Sequence, residues 1–322
     1  MKLLIVYYST YGNVCCGRPR DLPYQNLQSI TSTDADVVSA VGRLALGYGD
    51  DRPESNIQAI HAAITGTPLT WPTGRRSPTS DPSCAAGRFG YPCFRPDAVP
   101  VFVMFTDAPF HNGPGGANPY SGFTAPNYAG VVAALTARRA RVISVDSGDT
   151  VSRADGTQLA RDTGAIDPST GSPLLYTISA TGTGLSAAVV DGIAAVSRIP
   201  LDVSAQAVDL VDMGETVDAV AAFVDHLEPN ATGAPGLTCT GGFATSDYAG
   251  IDGDSFADTF LDVTPGAPVC FDIIPKQNDT VPATLVPQIF RAQINVIGDG
   301  FTPLDDRVVY FLVPPRIPNP DE

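Results

Sequence analysis

Apolar and polar residues alternate in two distinct textures along the chain. From Asp34 to Ile199, apolar residues recur at helical spacing or in short unbroken runs. The strongest run is Val101 to Phe105, VFVMF, followed by Gly/Pro punctuation. This run predicts a strand buried on both faces, the central strand of a parallel sheet. Asp34–Leu46 carries Val37, Val38, Val41, Leu44 and Ala45 at helical spacing, with Thr33 or Asp34 as N-cap. Glu54–Thr65 predicts a second helix, opened by Pro53, with Ile57, Ile60, Ala63 and Ile64 as its buried face. Further on, the pattern predicts a helix over Tyr128–Arg139, a strand over Arg141–Val145 ended by Asp146, and a helix over Ser152–Thr163. A strand over Leu174–Ser179 and a helix over Leu185–Ser197 follow. Strands alternating with helices through short links imply right-handed parallel crossovers and a doubly wound sheet.

Past Ile199-Pro200 the period changes. Leu201–Val211, Thr216–Val224, Gly266–Ile274, Gln288–Val296 and Arg307–Val313 are short alternating runs separated by Gly, Pro, Asn and Asp. They predict an antiparallel β-sandwich without helices. The expected fold class is therefore α/β: a doubly wound, mostly parallel sheet over residues 1–199, followed by a β-sandwich domain over 200–322. Before these, Lys2 to Tyr8 reads as a strand and residues 21–33 as irregular chain with a short edge strand.

The net charge of −15 on 322 residues argues against a nucleic-acid partner and against an anionic membrane surface, and suits a protein that attracts cations. No apolar run approaches membrane-spanning length, and Leu3–Val6 is too short for a secretion signal. The six cysteines form no CxxC pair and no Cys/His cluster suited to zinc. Cys84 and Cys93 bracket a Gly/Pro/Ser-rich stretch within the long loop 66–98, and Cys239 and Cys270 fall in the β-rich part. Pairing Cys84–Cys93 and Cys239–Cys270 implies an oxidising location: extracellular, periplasmic or cell-surface. The alternative is buried free thiols in a cytosolic protein.

Three carboxylates fall at loop positions on one edge of the expected sheet: Asp51, Glu54 and Asp107. Carboxylates brought together repel unless a cation joins them or one takes a proton. Lysine, present only as Lys2 and Lys276, is not the partner. Carboxylate, hydroxyl and water oxygens suit Mg²⁺, Mn²⁺ or Ca²⁺. At these residues the chain resembles von Willebrand factor type A domains, in particular the A-like domain of integrin β subunits. Asp51-Arg52-Pro53-Glu54 is similar to the Asp-x-Pro-Glu turn of that family. Phe105-Thr106-Asp107-Ala108-Pro109-Phe110-His111 is similar to its strand-end Thr-Asp-Ala-x-Phe-His. The resemblance implies a metal-ion-dependent adhesion site at the sheet's carboxyl edge, completed by a carboxylate from a bound protein. Glu54 would be a direct metal ligand, Asp107 a direct or water-mediated one, and Asp51 would belong to a neighbouring Ca²⁺ site. The implied task is protein binding, not catalysis. The family's first strand ends in Asp-x-Ser-x-Ser. Here Ser9 stands for the first serine, while Tyr7 and Tyr11 replace the aspartate and the second serine.

The opening MKLLIVYYSTYGNV also resembles the start of flavodoxin-like NAD(P)H:quinone oxidoreductases. That resemblance implies an FMN phosphate site at Ser9, Thr10, Gly12 and Asn13, and an alternative reading as an FMN-dependent reductase. The following Cys15-Cys16-Gly17-Arg18-Pro19 opposes the helix such a site needs. Elsewhere His61 and His226 read as solvated, and His111 as a turn-packing residue. Asp247, Asp252, Asp254 and Asp258 miss the EF-hand spacing and read as a solvated acidic loop.

Overall fold

A computed structural model describes residues 3–7, 24–44, 52–70, 76–77, 84–115, 118, 120, 124–211, 216–233, 236–248 and 253–317. The chain divides into two compact units, Met1–Arg198 and Ile199–Glu322. Among the described residues it is mixed α/β, with one three-stranded parallel sheet and separate antiparallel sheets.

The first unit opens with β1 (Leu3–Tyr7), paired antiparallel with β2 (Gln25–Thr31) in a two-stranded sheet of its own. Two helices follow, α1 (Asp34–Val41) and α2 (Asn56–Thr65), then a short hairpin of β3 (Leu69–Thr70) and β4 (Arg76–Ser77). The parallel sheet is built from β5 (Val101–Thr106), β6 (Arg141–Asp146) and β7 (Leu175–Thr177), in that spatial order. Its connections run through α3 (Tyr128–Thr136) and α4 (Thr150–Asp162), and α5 (Leu185–Val196) closes the unit.

Three expectations need correction here. Within this sheet β6 is central, and β5 lies at one end with Val101 and Phe105 exposed. A run of apolar residues does not by itself say which strand takes the middle. That place goes to β6 because helices cover it: Ile143 packs in one cluster with Ala160 of α4 and Ala195 of α5. The fit is close, since a Cβ added at Gly192 of α5 would lie 2.8 Å from Ile143 Cγ2. Second, α1 stops at Val41, with Gly42 as its C-cap, and of its residues only Ala40 is buried. Its apolar spacing covers little, because Val38, Val41 and Leu44 stay exposed. Third, α2 starts at Asn56 with Ser55 as N-cap, so Glu54 precedes the helix rather than forming its first turn. This helix is buried almost all round, Asn56 and Gln58 included. The Cys84–Cys93 disulfide forms within the loop ahead of β5 and sits beside a turn that packs Phe94 against Phe102.

The second unit contains β8 (Leu201–Asp209), α6 (Ala219–Phe223), β9 (Val224–Pro229), β10 (Thr245–Ser246), β11 (Thr259–Val263), β12 (Phe271–Pro275), β13 (Gln288–Gly298) and β14 (Thr302–Val313). A five-stranded antiparallel sheet runs β10-β11-β8-β13-β14, and β9 and β12 form a separate pair. Ala205 and Ile294 of the larger sheet share a core with Val224 and Leu227 of the smaller. The helix α6 replaces the strand expected over Thr216–Val224. Asp218 caps it by accepting from Ala221 N at 2.9 Å, and the Ala-rich run that follows favours a helical turn. The Cys239–Cys270 disulfide also forms. No helix among the described residues is long and apolar enough to cross a membrane.

Candidate functional site

Several acidic residues lie at or near the carboxyl edge of the parallel sheet, among them Asp107, Asp146 and Asp149. Thr106 ends β5 and Asp146 ends β6, paired in register. Beyond Thr106 the chain turns at once, with Thr106 Oγ1 accepting from Ala108 N at 3.2 Å. This turn leaves the Asp107 side chain exposed at the rim. The segment then runs beside Glu54 in a one-residue parallel bridge, Glu54 to Phe110. Glu54 N donates to Pro109 O and His111 N donates to Glu54 O, both at 2.8 Å. Glu54 is half-buried, and its backbone bonds to Pro109 and His111, just past the turn that carries Asp107. Two expected ligand segments 53 residues apart in sequence (107 − 54) are thus hydrogen-bonded to one another.

Other polar residues fix this arrangement from behind. Phe110 N donates to Asp155 Oδ2 of α4 at 2.9 Å, and burial pushes the Asp155 carboxyl above its ordinary pKa. Ser55 Oγ and His111 Nδ1 lie 3.1 Å and 3.2 Å from the Tyr120 hydroxyl, and all three side chains are buried. One hydroxyl therefore joins the Glu54 segment to the segment after β5. The His111 and Tyr120 rings meet edge to face at 5.4 Å.

Asp146 is enclosed by the chain around it. It is fully buried, and its Oδ1 accepts from Gly148 N at 2.7 Å and Ser152 Oγ at 3.1 Å. Its Oδ2 has no hydrogen-bond partner among the described residues. Burial raises its pKa, and the two hydrogen bonds and the Arg153 charge offset that only in part. Gly148 lies so close to the β5 turn that an added Cβ would stand 2.2 Å from the Asp107 carbonyl oxygen. Only glycine fits there. Asp149 caps α4, accepting from Val151 N at 2.9 Å, and forms an ion pair with Arg52 of the Glu54 segment. The Arg52 guanidinium, then the N-terminal amides of α4, hold the Asp149 carboxyl below its ordinary pKa.

Of the expected ligands, Glu54 bridges to Phe110, three residues past Asp107, while Asp51 and Ser9 lie outside the described residues. Thr10, Gly12 and Asn13 of the FMN reading lie outside them as well. Among the described residues no group of three or more His, Cys, Asp or Glu gathers closely enough to hold a metal ion. Sequence reasoning missed the roles of Asp146, Asp155, Ser55 and Tyr120. The signal available was the placement of Asp146 at a strand's carboxyl end. Three other expectations change. His61 is half-buried and burial pushes its pKa down. His226 is tucked against Phe256, the ring centroids 3.8 Å apart, and bonded to Asp225. Asp258 is buried, accepting from Tyr248 N at 3.0 Å and Thr259 Oγ1 at 2.6 Å, rather than solvated.

Compared with known proteins, the chain matches no protein-family model and no curated protein.

Proposed function

We propose that residues 20–199 form a von Willebrand factor type A-like domain of the integrin β kind, doubly wound, that binds a protein partner through a divalent cation. The observation that carries this reading is the hydrogen-bonded bridge from Glu54 to Phe110, three residues past Asp107. Carboxylate oxygens are ligands for Mg²⁺, Mn²⁺ or Ca²⁺, and a net charge of −15 favours cation capture. Glu54 and Asp107 would hold the ion, Ser9 would add a hydroxyl, and Asp51 would serve a neighbouring Ca²⁺ site. Water and a carboxylate of the partner would fill the remaining positions. A protein-supplied ligand set this small makes the ion weakly held until the partner arrives. Two disulfides fit an oxidising compartment, and we assign the protein to an extracellular, periplasmic or cell-surface location.

The flavin alternative draws less support. A strand delivering a phosphate loop in a flavodoxin-like fold stands in the parallel sheet, whereas β1 pairs antiparallel with β2 in a separate pair, and the same pairing lends no support to Ser9 as a ligand in the main reading.

Isothermal titration of Mg²⁺, Mn²⁺ and Ca²⁺ into chelator-treated protein tests the main reading. One-site binding that weakens at least about tenfold in Glu54→Ala and in Asp107→Ala supports it. Absence of binding for all three ions, or binding that neither substitution weakens, overturns it.

A further inference from the structure

The five-stranded sheet of the second unit has two unlike ends. At one end stands β10, two residues long, too short to template another strand. At the other stands β14, twelve residues long, bonded to β13 along one side only. Among the described residues no strand pairs with its other side. Long exposed edges of this kind invite further pairing.

The two faces of β14 differ. Val309, Phe311 and Val313 point to the core, where Phe311 stacks on Phe223 of α6 at 5.2 Å. Asp306, Val308, Tyr310 and Leu312 point outward, and the last three are 41%, 66% and 64% exposed. The ladder to β13 is regular from Asp305 to Val313 and shifts register just before Asp305. The regular stretch is therefore nine residues, Asp305–Val313.

We propose that β14 pairs antiparallel with β14 of a second copy of this chain, about a two-fold axis at Val309, joining two five-stranded sheets into one. A two-fold pairing sets one residue opposite itself. Centring it on Asp305, Asp306 or Arg307 would oppose like charges directly, which is destabilising. Centring it on Val308 or Tyr310 avoids that but leaves fewer regular residues paired. The Val309 centre uses all nine, and it places Val308 opposite Tyr310 of the partner copy, twice over. Pairs of a β-branched residue with an aromatic are among the favourable cross-strand contacts. On the inner face Arg307 meets Phe311, and each Asp306 lies opposite Leu312. The two Asp306 side chains are then six residues apart along the strands, roughly 20 Å, well beyond the roughly 8 Å screening length at physiological salt. The contact is isologous and closed, so it ends at a dimer rather than a fibre. Because each copy carries −15, added salt strengthens the association.

Sedimentation velocity on the full chain tests this, with three sequences compared. The wild type forms a dimer whose Kd falls as NaCl is raised. Val308→Lys with Tyr310→Lys opposes lysines across the two-fold and raises Kd at least about tenfold. Val308→Glu with Tyr310→Lys sets opposite charges against each other and keeps Kd within about threefold of wild type. Both pairs of substitutions lie on the solvent face. Hydrogen exchange on the wild type gives a readout without substitution: amides within Asp305–Val313 gain protection as concentration rises. A wild type that stays monomeric at every concentration and salt, a dimer without that protection, or two variants that behave alike overturns the proposal.

Discussion

Single side chains decide how the carboxyl edge is held. The Tyr120 hydroxyl lies 3.1 Å from Ser55 Oγ and 3.2 Å from His111 Nδ1. Tyr120→Phe keeps the ring and removes that bridge, so it should lower stability by about 1–3 kcal/mol, read from denaturant midpoints. A wild-type midpoint would mean that the bridge carries no energy. Asp146 gives a pH signature. Its folded-state pKa is raised above the ordinary 3.8 by burial. The folded state thus holds its proton to higher pH than the unfolded chain, and stability contributed by protonated Asp146 is lost as pH rises from about 4 through the raised value. Asp146→Asn keeps an acceptor for Gly148 and Ser152 but carries no charge. In chelator it should be more stable than wild type at pH 7, and the gap should close toward pH 4. Melting curves at both pH values check this, and a gap that widens toward acid would refute the assignment. The loop positions of Glu54 and Asp107 were legible, one just before a helix and the other just past a strand. Asp146, Asp155 and Tyr120 were not. Their partners come from distant chain, as with Ser55 and Tyr120, 65 residues apart, and nothing local marks them.

Elements were legible where one period dominates. Strand β6 and helices α3, α4 and α5 fall within a few residues of the apolar pattern. The pattern went astray where burial depends on what lies alongside. Val38 and Val41 of α1 keep helical spacing yet face solvent, while Asn56 and Gln58 of α2 are polar yet buried. The two disulfides were read from their placement in Gly/Pro-rich and β-rich chain. Their loops are unequal, with sequence separations of 9 and 31. On chain entropy alone, opening Cys84–Cys93 costs about 3 kcal/mol and opening Cys239–Cys270 about 4. Cys→Ser pairs at each site, compared by denaturant unfolding, should show the larger loss at Cys239–Cys270. The reverse order would show that strain or packing outweighs loop length.

At the scale of the whole molecule, the first unit presents acidic side chains at the carboxyl edge of a parallel sheet, and the second is built from antiparallel sheets sharing a core. The cation at Glu54 and Asp107 is the claim on which the binding reading depends. The most direct measurement is Mn²⁺ added substoichiometrically to isotope-labelled full-length protein, with paramagnetic broadening followed amide by amide. Broadening confined to the neighbourhoods of Glu54, Asp107 to His111 and Ser147 to Asp149, and abolished by Glu54→Ala, is the predicted result. Broadening centred on the acidic loop from Asp247 to Asp258, or spread evenly over both units, would contradict it.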